Sequence, residues 1–130
     1  MKTNSLVVLI VTLAIGLVAA SCREETDVPV IPCIMKTDTL IAPQNLTVEY
    51  LLKADGDYGI AVFYYFGSDG MVAISNPVTP YYVSVDLPVG ATIHAGSEGS
   101  VREGSIEISY KAYNSEINYE RITVCSQVKP

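Results

Sequence analysis

Along most of the chain, apolar and polar residues alternate with a period of two, the pattern of strands with one face buried and the other in water. Val48, Tyr50 and Leu52 alternate with Thr47, Glu49 and, after Leu51, Lys53. Tyr58, Ile60, Val62, Tyr64 and Phe66 share one parity, as do Tyr81, Val83, Val85 and Leu87. Ile106, Ile108, Tyr110 and Ala112 are set against Ser105, Glu107, Ser109 and Lys111 in the same way. Shorter runs at Met71–Ser75, Ala91–Ala95 and Arg121–Ser126 predict further strands, and another is expected within Ile34–Ile41. Towards the end of the chain the apolar parity changes between Ile117, Tyr119 and Ile122, Val124. That change calls for either a bulge or a turn containing the first pair.

Turn chemistry divides these runs. "ADGD" at Ala54–Asp57 and "GSDG" at Gly67–Gly70 contain Asp-Gly pairs, which favour tight hairpins because Gly accepts positive φ. "SNPVTP", "LPVG", "GSEGS" and "YNSE" mark other turns. Beyond the first 21 residues, no segment keeps a helical apolar period over ten residues. Seven or eight short strands so punctuated predict an all-β protein, an immunoglobulin-like β-sandwich of about seven strands. The chain has no Trp, so the likeness is one of architecture and does not extend to the immunoglobulin core.

The N-terminus has a different pattern. Met1 and Lys2 precede an apolar run, Leu6–Val18, and small residues lead from it to Cys22. A bilayer-spanning helix needs about 20 apolar residues, and here Arg23, Glu24 and Glu25 follow at once. The expectation is a cleaved signal peptide over residues 1–21, with an uncleaved anchor as the alternative. Ala19, Ala20 and Ser21 before Cys22 resemble the lipobox of bacterial lipoproteins, with Ala19 where Leu is usual. The resemblance implies that Cys22 becomes the lipid-bearing N-terminus. Arg23, Glu24 and Glu25 resemble the signal that sends lipoproteins of Bacteroidota to the outer face of the outer membrane, and also fit an acidic linker. A single acyl chain holds a protein marginally, at about 0.8 kcal/mol per buried methylene, and two or more hold it stably. Residues 22–33 are then an anchored spacer, extended through "VPVIP" at Val28–Pro32, and residues 34–130 form one domain.

Charge and cysteines narrow the partners. The chain has a formal net charge of −6, and removing residues 1–21 takes away Lys2, leaving seven basic residues against fourteen acidic ones. With no cluster of Lys or Arg, nucleic acid is an unfavourable partner and a polybasic second membrane anchor is absent. Of three cysteines, lipidation of Cys22 leaves Cys33 and Cys125. In an exported protein these two are expected to form a disulfide, with buried free thiols as the alternative. A bridge closing a loop of about 90 residues is worth up to roughly 4.5 kcal/mol on the chain-entropy model.

A second resemblance spans Val48–Cys125. "VFYYFGSDG", "YYVSVDLPVGATIHAGSEG", "GSIEISYKAY" and a terminal strand with Cys125 occur in an order similar to that of the mycobacterial membrane protein small family. The resemblance implies a small membrane-attached sandwich acting as an accessory subunit of an envelope exporter. That family usually has a second cysteine in the strand corresponding to Gly104–Tyr113, where this chain has none.

Reactive chemistry is sparse. His94 is the one histidine, with Glu98 nearby and no nucleophile motif beside it, and closely spaced zinc ligands are missing. Asp55, Asp57 and Asp69 occur in Gly-containing turns without the ligand spacing of a calcium loop, and nothing selects Glu116 and Glu120 as paired acids. No catalytic residue, cofactor or metal is expected, and the protein is expected not to be an enzyme. Nine tyrosines are the one surplus. If Tyr64 and Tyr81 point inward, Tyr65 and Tyr82 point outward and are available to a ligand, although cross-strand pairing that stabilises the sheet is the favoured account of their presence. Asp38, Thr39 and Leu40 fit the short O-glycosylation motif of Bacteroidota. The expected function is that of an outer-membrane lipoprotein, an accessory or assembly subunit that binds another envelope protein. The alternative is a surface module for glycan or host protein.

Overall fold

A computed structural model describes residues 29–128, which contain eight β-strands and no helix. The strands are β1 (Ile31–Lys36), β2 (Leu40–Ile41), β3 (Leu46–Gly67), β4 (Gly70–Ser75), β5 (Tyr81–Leu87), β6 (Thr92–Ile93), β7 (Ala95–Tyr113) and β8 (Asn118–Gln127). Every pairing is antiparallel. Six strands form one open sheet, and β2 pairs separately with β6.

The sheet is organised by two long strands, β3 and β7, that pair along nearly their whole length. The first half of β3 pairs with β5 on one side and the second half of β7 on the other, with β8 beyond. The second half of β3 pairs with β4 and with the first half of β7, with β1 beyond. The two halves meet face to face. The Tyr50 ring centroid lies 5.1 Å from that of Tyr65, the Tyr50 hydroxyl donates to the carbonyl of Phe66 at 2.8 Å, and Phe63 packs edge-on to Tyr81. Tyr50 and Tyr110 from one half and Phe63 and Tyr65 from the other are all buried. Burial pushes the Tyr50 phenol well above its ordinary range, because the charged form would lose its water.

The fold-back occurs where Gly56 pairs with Gly104. Both have positive φ, 92° and 109°, and a Cβ on either would collide with the backbone of the opposite strand, at Glu103 and at Asp55. Two bulges follow on one side of this point, with Arg102 unpaired on β7 and Ala61 unpaired on β3. Bulges sharpen bend and twist, which lets a strand of 22 residues serve both halves.

This geometry revises three sequence expectations. "ADGD" is a bend within a continuous strand, not a hairpin turn, and "GSEGS" lies within β7; "GSDG" does form the β3–β4 turn. The parity expected for Tyr58–Phe66 fails at Ala61: Ile60 packs against the core, but beyond the bulge Phe63 and Tyr65 point inward. The strand β8 has no bulge, since its register runs unbroken from Asn118 to Gln127; Ile117 precedes it, and Ile122 and Val124 simply face outward.

One seam between the halves is fastened. Cys33 on β1 and Cys125 on β8 form a disulfide with Cα atoms 5.9 Å apart. Beside it, Thr123 Oγ1 donates to the Lys36 carbonyl at 3.3 Å and Gln127 Nε2 to the Pro29 carbonyl at 2.9 Å. At the opposite seam β4 and β5 are not paired with each other. The domain therefore begins before residue 34, since β1 takes Ile31, Pro32 and the buried Cys33 from the expected spacer.

Two glycine substitutions separate conformation from space. Gly70 also has positive φ, 108°, but nothing lies near a Cβ placed there. Gly70→Ala is expected to cost about 1–2 kcal/mol for the left-handed conformation alone. Gly104→Ala adds a backbone collision and is expected to cost clearly more, or to prevent folding, as read by urea denaturation of both variants.

Candidate functional site

The half formed by β5, β3, β7 and β8 turns its inner residues to the core and presents an outer face of aligned rows. One row reads Tyr82, Leu51, Ser109, Ile122, and the next Ser84, Glu49, Lys111, Glu120. Tyr82, Ile122 and Val124 are more than half exposed, at 57%, 55% and 53%. Strand alternation forces this placement: because Val83 and Val85 pack on the core, Tyr82 and Ser84 face out.

Glu49 is the polar centre of this face. Its Oε1 accepts hydrogen bonds from the Tyr82 hydroxyl at 2.7 Å and the Tyr113 hydroxyl at 3.3 Å, both from neighbouring strands. Diagonal positions in adjacent antiparallel strands bring long side chains within such reach. Lys111 Nζ lies 5.5 Å from the centre of the Tyr113 ring, and Thr47 donates to Asp86 at 2.9 Å. The hydrogen bond to Glu49 holds the Tyr82 phenol above its ordinary value of 10.0, since ionisation would set two negative charges together. Tyr113 is raised too, first by desolvation and then by the Glu49 charge. Together the groups offer two aromatic rings, a carboxylate acceptor, an ammonium and exposed aliphatic side chains on one face of the sheet.

The other residues singled out from the sequence are dispersed. Tyr65 is 7% exposed and points into the core, so of the two tyrosines expected outward only Tyr82 is at the surface. Tyr64 instead lies on the outer side, its ring across Gly96, where any Cβ would overlap it. His94 sits near the rings of Tyr64 and Phe66, with Nδ1 3.2 Å from Thr39 Oγ1 in a shared hydrogen bond. Glu116 lies in the turn before β8, while Glu120 is on the strand beside Lys111. Asp55 and Asp57 flank the bend, with Asp57 3.7 Å from Arg102, and Asp69 is in the distant β3–β4 turn. Among the described residues, no three His, Cys, Asp or Glu side chains gather to hold a metal. Two shallow clefts border the bend: one of about 210 Å³ between Tyr58 and Arg102, another of about 230 Å³ between Lys53 and Ser105. Cys22 lies outside the described residues.

Glu49, Tyr113, Ile122 and Val124 were not among the residues expected to make contact. The signal was present as the parity change ahead of Ile122, which marks apolar residues turned to solvent. Comparison with known proteins finds no matching family model, no similar curated protein and no similar solved structure.

The Glu49 clamp has a titration signature. Glu49→Gln removes the negative charge and is expected to lower the ionisation midpoints of Tyr82 and Tyr113 towards 10.0, as read by ultraviolet phenolate absorbance. Because both folded values are raised, the associated stabilisation is complete below the ordinary value. It is lost as pH rises through the folded midpoints, and the variant should show less of that alkaline loss.

Proposed function

We propose that this chain is a non-enzymatic envelope lipoprotein, tethered to the bacterial outer membrane through lipid on Cys22, and that it acts as an accessory or assembly subunit binding another envelope protein. The tethered body is read as an immunoglobulin-like β-sandwich. Supporting this are two four-stranded halves that share β3 and β7 and pack their inner faces together. The observation that carries the partner reading is the group of exposed Tyr82, Ile122 and Val124, with half-buried Leu51 in the same row, on the outer face of the sheet. Exposed aliphatic side chains lose water favourably against another protein, and they do not stack on sugars. Around these residues Glu49, Asp86, Glu107 and Glu120 outnumber Lys53 and Lys111, so a complementary partner presents an apolar surface with basic groups.

Cross-linking in native envelopes, followed by mass spectrometry, tests this reading. A reproducible envelope-protein partner is expected, and Ile122→Asp should reduce its recovery at least about tenfold by placing a charge in this apolar group. Undiminished recovery from that variant would remove this face from the interaction.

The alternative, a surface module for glycan, is favoured by one arrangement: the Tyr82 ring beside a carboxylate that can accept sugar hydroxyls. Under it, Tyr82→Ala abolishes retention on a glycan array and Ile122→Asp does not.

A further inference from the structure

We propose that the bend end of the domain rests on the lipid surface that anchors the chain, with Val30, Tyr58, Val78 and Val128 entering the headgroup region. This rests on the lipid at Cys22 proposed above, and goes beyond it in assigning which end of the fold meets the membrane.

The register brings both ends of the described chain to the bend. Strand β1 starts at Ile31, paired with Val101, and β8 ends at Gln127, paired with Gly104 itself. The connection from β4 to β5 returns to the same end, since Ser75 pairs with Val62 and Tyr81 with Leu52. The connections that follow β1, β3, β5 and β7 gather at the opposite end.

A chain of contacts links the apolar residues of the bend end. Gln127 Nε2 donates to the Pro29 carbonyl at 2.9 Å, which brings together the segments that carry Val128 and Val30. Val30 and Tyr58 line one cleft with Arg102. The Tyr58 hydroxyl lies 2.6 Å from Thr79 Oγ1, next to Val78. Val78 and Val128 are 80% and 85% exposed, and Val30 and Tyr58 47% and 37%. Aliphatic side chains beside a tyrosine suit a bilayer interface, where one end of the ring is apolar and the other wet.

Exposure alone does not choose this end, because Ile41 and Val89 are exposed at the other. The chain that enters it does. Eight residue steps separate Cys22 from Val30, at most about 29 Å at full extension. On so short a tether a surface contact acts at an effective concentration in the millimolar range, so a weak contact is enough. Charge then selects the kind of lipid. Around the bend Asp55, Asp57, Glu103 and Glu107 exceed Lys53 and Arg102, which pair with Glu107 at 3.5 Å and Asp57 at 3.7 Å. An acidic excess is repelled by anionic headgroups, so the contact is apolar and suits a zwitterionic surface.

The chain has no Trp, so a single introduced one reports its own depth. Val78→Trp, Val89→Trp and Tyr82→Trp each replace an exposed residue, at the bend end, the opposite end and the outer face of the sheet. Each full-length lipidated variant is reconstituted in vesicles of phosphatidylcholine brominated on its acyl chains, which quenches Trp within the bilayer. Blue-shifted emission and strong quenching are expected for Val78→Trp and neither for the other two, and adding phosphatidylglycerol should weaken the quenching. Quenching that is absent from Val78→Trp, or greater in Val89→Trp or Tyr82→Trp, would overturn the proposal, as would quenching that appears only with anionic lipid. Mass spectrometry of the same preparation separates the two readings. A Cys22 without lipid overturns the anchor and this contact with it, whereas a lipidated Cys22 with an unquenched Val78→Trp overturns the contact alone.

Discussion

The whole architecture depends on one close approach, that of the Gly56 and Gly104 backbones. Strands of 22 and 19 residues are too long to lie flat under a domain of this size, so they must bend, and they must do so together to remain paired. At the bend each chain occupies the volume that the other's Cβ would need. Glycine on both strands resolves that conflict and also accepts the positive φ that the turn requires. Everything else follows from it. The aromatic core forms because the bend brings Tyr50 and Tyr110 of one half over Phe63 and Tyr65 of the other.

The alternation of apolar residues correctly indicated an all-β chain, and most inward positions of β5 and the second half of β7 could be read directly from it. Where the reading failed, the cause was local. Asp-Gly normally closes a hairpin, and at residues 54–57 the same chemistry serves a bend, a distinction set by whether the chain that follows pairs with what preceded it or with a third strand. A single unpaired residue, Ala61, inverted the faces of the five that follow. No pattern in the local sequence announces such an insertion, because it is defined by the partner strand.

The candidate face was half legible for the same reason. Tyr82 could be placed outward because nothing interrupts the alternation around it. Tyr65 could not be placed, since it lies beyond the bulge. Ile122 and Val124 were visible as a conflict of parity, and the conflict disappears once apolar residues are allowed to face water. The Glu49 cluster needed the register of three strands, information that no single stretch contains.

The position of the disulfide has a mechanical consequence. Cys33 is the third residue of β1, so a pull on the chain from its N-terminal side meets only two strand residues before reaching a covalent bond. Peeling of β1 from β7 therefore stops almost where it starts, and the load passes through Cys125 to β8 on the other half of the sheet. Force entering from the N-terminal side is shared between the two outermost strands of that seam. The domain can be held by one end of its chain against shear without unravelling from that end.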